Sequence, residues 1–73
     1  MIGVMAKQKP QTRLRELRMR RGLSCEALAE ILGCSAASVS AIELGNRTPG
    51  LSLAFAIERE TGINSEEWVR RAG

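Results

Sequence analysis

The side chains able to do chemistry in this sequence are mostly cations, and most of these are crowded into one stretch. Between Lys7 and Arg21 stand Lys7, Lys9, Arg13, Arg15, Arg18, Arg20 and Arg21 against Glu16 alone, a local charge of +6. The rest of the chain sets Arg47, Arg59, Arg70 and Arg71 against Glu26, Glu30, Glu43, Glu58, Glu60, Glu66 and Glu67, a charge of −3. A basic block on an acidic body is the electrostatic footprint of a surface that meets a polyanion, although a solvated helix face has the same composition. Catalysis finds little to work with: histidine is absent, the carboxylates are scattered, and neither a phosphate loop nor a nucleophile elbow occurs. The chain is therefore read as a non-enzyme without a cofactor. Cys25 and Cys34, with no histidine or further cysteine, do not make a zinc ligand set, and they read as reduced thiols of a cytoplasmic protein. Met1 to Ala6 is too short and too weakly apolar to be a secretory signal.

Seventy-three residues make one domain near the lower size limit for unaided folding. With one Phe, one Trp and no Tyr, its core must be aliphatic, which favours close-packed helices. Residues 1–10 have no helical period and read as a basic arm, and residues 11–73 read as the folded domain. Helix one is expected from Gln11 to Arg21, with Leu14 and Leu17 inward and Gly22 as its stop. Ser24 is placed to cap helix two, stapled by Leu23 and Leu28 and ending at Gly33. Ser35 repeats the device for helix three, Ala36 to about Leu44, with Cys34 and Val39 as the staple. Helix four should cover Leu51 to Thr61, with Leu51, Ala54, Phe55 and Ile57 as core candidates. Asn64 then caps a short helix five, with Glu67 as its returning acceptor and Ile63 and Trp68 as staple. The expected architecture is an all-α, compact five-helix bundle.

The spacing within residues 25–44 is what two steeply crossed helices demand. Leu28, Val39 and Ile42 anchor the pair, Ala29 is small where the next helix approaches, and Gly33 supplies a positive φ at the corner. Such a turn leaves the N-terminal half of helix three projecting outward, free to enter a major groove. The run GLSCEALAEILGCSAASVSAIELGNRTPG, residues 22–50, resembles the phage-repressor-like (Cro/cI, XRE) helix-turn-helix DNA-binding family. The resemblance extends from about Leu14 to Trp68. It implies a lambda-repressor-like DNA-binding domain with the helix-turn-helix in helices two and three, acting as a homodimeric transcriptional regulator, a repressor by analogy, on double-stranded DNA. It also implies an ion pair between Arg18 and Glu43.

By the same resemblance Ala36, Ala37, Ser40 and Ala41 fall where base edges are read. Lys7, Lys9, Arg13, Ser24, Cys25, Ser35, Ser38, Asn46 and Arg47 fall beside the phosphates. The sequence departs from the family at two places. Cys25 stands where relatives often hold a phosphate with glutamine, and the alanines cannot make bidentate contacts to guanine or adenine. Specificity would then come from alanine contacts with thymine methyls, from the Ser38 and Ser40 hydroxyls and from DNA shape. The alternatives are a helix-turn-helix adaptor for another protein and an antitoxin-like partner with weak DNA binding. Trp68 and Val69 near the chain end are candidates for the dimer contact, unless Trp68 completes its own core, and Ile31 is a second candidate. No small-molecule ligand is evident from the sequence, and neither a metal site nor a membrane partner is expected.

Overall fold

The computed structural model describes residues 9–68. They form helices α1 (Pro10–Arg20), α2 (Cys25–Leu32), α3 (Ala36–Glu43) and α4 (Leu51–Thr61), and residues 66–68 begin a fifth helical segment; no strand occurs among the described residues. No single helix among them is long and apolar enough to cross a membrane. The arm is described only from Lys9, so Lys7 lies outside the described residues, as does Val69 at the other end.

Local chemistry explains each boundary. Pro10 opens α1 with a preset φ and no wasted N–H. Ser24 and Ser35 sit in extended backbone and accept from the N–H groups of Ala27 and Ser38 at 3.0 and 3.1 Å, an arrangement worth about 1 kcal/mol per cap. Gly33 ends α2 at φ +80°, where its own N–H and that of Cys34 both donate to the Ala29 carbonyl. A side chain there would hold a left-handed conformation at a cost of about 1–2 kcal/mol, so glycine allows the corner to be this short. The two helices it joins differ in direction by 106°.

The core is aliphatic with one aromatic. Leu14, Leu28, Ala29, Leu32, Val39, Ile42, Ala54, Ile57, Ile63 and Trp68 are buried together, with contributions from every helix. Helix α4 corrects the expectation for its inward face: Ala54 and Ile57 point inward, whereas Leu51 and Phe55 are 65% and 53% exposed. Both of these lie one turn apart on the opposite side, because the close approach of α4 to α2 fits Ala54. Of the two readings of Trp68, the structure gives the one in which it completes the chain's own core: it is 3% exposed beside Ile63, and so is not free for a dimer contact. The start of the fifth segment also differs in detail. The Asn64 carbonyl oxygen Oδ1 caps it by accepting from Glu66 N–H at 2.9 Å, but Glu67 does not return to the cap, because its carboxylate is engaged by Arg13.

Candidate nucleic-acid interface

The outward half of α3 is built by the periodicity of its inward half. Val39 and Ile42 are fully buried, which turns Ala36, Ala37, Ser40 and Ala41 toward the surface; Ala37 is exposed and the other three are half-buried. This face therefore offers methyl groups and one hydroxyl, small enough for close approach of a nucleic-acid edge and devoid of charge. Its leading end is polar. Ser35 Oγ caps the helix and also donates to Ser38 Oγ at 3.0 Å, and Arg47 Nη1 donates to the same Ser38 Oγ at 3.2 Å. Ser35, Ser38 and Arg47 thus come together at a helix N-terminus, where free backbone N–H groups and the helix dipole favour an anion. Exposed Asn46 follows, its backbone N–H held by the Ala41 carbonyl at 2.9 Å. Gly45 makes that reversal at φ +80°.

A second helix N-terminus lies at Ser24 and Cys25. The Ser24 hydroxyl oxygen is occupied by its capping bond, and Cys25, half-buried, is the first residue of α2. Cys25 and Cys34 stand at opposite ends of an eight-residue helix, about 12 Å apart by helical rise, well beyond the reach of a disulfide. Burial pushes the Cys34 thiol above its ordinary range. Its thiolate is accordingly scarcer in the folded state. In a folded sample at mildly alkaline pH, Cys34 should be carbamidomethylated more slowly than in urea-unfolded protein, as read by peptide mass spectrometry; equal rates would show that the site is open.

The arginines of α1 and its C-cap are only partly available to a ligand, and of the ties that hold them the family resemblance implied only the one between Arg18 and Glu43. Arg18 makes a two-pronged pair with Glu43, Nε to Oε2 at 2.7 Å and Nη2 to Oε1 at 3.0 Å, and its Nη1 donates to the Leu23 carbonyl at 2.9 Å. The hydrogen bonds that Arg18 donates to Glu43 raise its pKa against the opposing effect of burial, so the guanidinium stays charged. Arg13 Nη1 donates to both oxygens of Glu67 at 3.2 and 3.1 Å, tying α1 to the last described turn instead of leaving this side chain open for phosphate. Arg21 Nη2 donates to the Glu60 carbonyl at 2.9 Å, capping the negative end of α4. Lys9, Arg15 and Arg20 are exposed. Three of the seven cations in that block are therefore held inside the fold, and the ties of Arg13 and Arg21 join residues 54 and 39 positions apart, which local sequence pattern does not connect.

Among the described residues no group of cysteines and carboxylates is placed to hold a metal ion. No curated protein and no solved structure is significantly similar to the chain. The Helix-turn-helix domain family, in contrast, matches residues 12–72, nearly the whole of the chain and all of the helices whose geometry is given above. The 106° corner, the capped second helix and its outward small-residue face are the features of that architecture, and the chain belongs to the helix-turn-helix domain family.

Proposed function

We propose that this protein is a sequence-specific, DNA-binding transcriptional regulator of the repressor kind that sets α3 into the major groove. The observation that carries the reading is the coincidence of three things at one helix: a 106° corner that projects α3, a solvent-facing set of Ala36, Ala37, Ser40 and Ala41, and a polar leading end made by Ser35, Ser38 and Arg47. In this reading the alanine methyls meet thymine methyls, the Ser40 hydroxyl bonds a base edge, and DNA shape supplies the remaining discrimination. Phosphates are held by Arg47, Ser38, Ser35 and Asn46 at one end. Others are held by Lys7 and Lys9 of the arm and by the α2 terminus at Ser24 and Cys25, and Arg13 joins when phosphate displaces Glu67 from a half-exposed pair worth little by itself.

A single domain reads only a few base pairs, so a working operator has two half-sites about 34 Å apart. The domain measures 34 × 28 × 21 Å, so two copies on one face of the duplex would touch when their long axes lie along it. Since Trp68 is inside, the contact is assigned to Leu51 and Phe55 on the outer side of α4, with Leu44 at the other end of the same loop; all three are more than half exposed. Three side chains fall far short of the roughly 20–30 residues a side that a stable interface uses. The homodimer should therefore form on the operator and not in free solution.

Binding measured by fluorescence anisotropy should weaken steeply with salt, by about 0.9 in log–log slope per phosphate engaged. Arg47→Ala should weaken all sequences alike and flatten that slope by about 1, whereas Ser40→Ala should alter the order of preferred sequences recovered by selection from random DNA. A flat salt response, or no sequence enriched over background, favours a protein-binding adaptor instead.

A further inference from the structure

One buried donor is left without a partner. Trp68 is 3% exposed, and its indole Nε1 is the buried side-chain polar atom with no hydrogen-bond partner among the described residues. An indole N–H can only donate, so its complement must bring a lone pair. Trp68 forms part of the wall of a cavity of about 120 Å³, completed by Gln11, Ile42, Gly45, Arg47 and Thr48, and because Nε1 itself is closed to water, a small shift of the indole is what would bring it to an acceptor there. At about 30 Å³ per water this is room for roughly four waters, or for one compact ion.

The lining decides between them. Arg47 and the Trp68 indole only donate, Gln11 and Thr48 can each donate or accept, and no carboxylate belongs to the wall. The Gln11 amide nitrogen lies so close to Gly45 that a Cβ there would come within 3.3 Å of it. A wall that carries one guanidinium and no carboxylate is short of negative charge. We propose that this cavity binds a compact oxyanion, a carboxylate or a phosphate group, with one oxygen accepting from Trp68 Nε1 and the charge met by Arg47. The site is coupled to α3, because Arg47 also donates to Ser38; an anion that draws Arg47 toward the cavity withdraws it from the leading end of the reading helix. The oxyanion has two sources, a free small molecule or a backbone phosphate of DNA.

The single tryptophan makes the test direct, because the 15N-labelled full chain gives one indole N–H cross-peak. Sodium phosphate and sodium acetate are titrated separately without DNA, with sodium chloride keeping the ionic strength constant. A saturable displacement of that peak, at least tenfold weaker in apparent affinity for Arg47→Ala, supports the proposal and assigns the site to a free anion. In a second arm a duplex is added. A displacement seen with duplex and not with free anions, and lost in Arg47→Ala while anisotropy still shows that duplex bound, assigns the oxyanion to the DNA backbone. No saturable displacement in either arm, or the same displacement with chloride alone, means a water-filled cavity and overturns the proposal. The free-anion arm does not depend on DNA recognition, so a protein that ignores every duplex and still binds phosphate removes the proposed function while leaving this site standing.

Discussion

Glu43→Ala should remove about 3 kcal/mol of stability, seen as a lower urea midpoint at unchanged slope. The expectation rests on geometry. The Arg18 and Glu43 side chains are only 14% and 6% exposed, and their contact has two short bonds in the plane of the guanidinium. Removing the carboxylate leaves a half-buried, permanently charged group with the Leu23 carbonyl as its remaining partner, and a charge stranded away from bulk water costs more than the intact pair contributes. In a domain whose total stability is about 5 kcal/mol at the low end of the common range, such a loss makes much of the population unfold on mild heating. The double replacement Arg18→Met with Glu43→Leu should recover most of it, because neither charge is then stranded. A single-mutant loss below about 1 kcal/mol, typical of exposed pairs, would show that water screens the contact. Since the pair ties α1 to the C-terminal end of α3, its loss should also loosen the helix proposed to read DNA.

The parts of this molecule that were legible in its sequence are those fixed by neighbours a few residues apart. Ser24 and Ser35 cap where a hydroxyl precedes an apolar run, Gly33 turns the corner, and the helix ends fall within a residue of where these signals put them. The family's own pattern lies in that same local stretch, and so the fold was readable. Helix α4 was not, in one respect. Leu51, Leu53, Ala54, Phe55, Ala56 and Ile57 make an apolar band wider than one face, so periodicity alone cannot say which side is buried. Packing decided it, choosing Ala54 and Ile57. The charges failed for a different reason. Arg13 with Glu67 and Arg21 with the Glu60 carbonyl join residues 54 and 39 positions apart, and composition counts such arginines as surface cations whether or not the fold has given them partners. The cavity beside Trp68 draws its wall from α1, α3, the loop after α3 and the last described turn, an arrangement that only a folded chain possesses.

Phe55→Glu should weaken binding to a two-half-site operator about 100-fold, equivalent to roughly 2.7 kcal/mol, and leave binding to a duplex with one half-site unchanged. Phe55 is 53% exposed and Leu51, one turn earlier, 65%, so a carboxylate at 55 meets solvent in the monomer and should not disturb the fold, which circular dichroism would verify. In the proposed operator-bound pair, two such carboxylates would be driven together in a dehydrating contact, and like charges in that setting cost several kcal/mol. Because the apolar contact is small, its energy should be expressed mainly as cooperativity between half-sites and hardly at all as dimer in free solution. Sedimentation of the unmodified protein should accordingly show monomer at micromolar concentration. Equal losses on one and two half-sites would place Phe55 against the DNA itself. No loss on either would mean that the outer side of α4 faces something other than a second copy, and the same half-site comparison applied to Leu44→Glu would then search the remaining exposed apolar position of that loop.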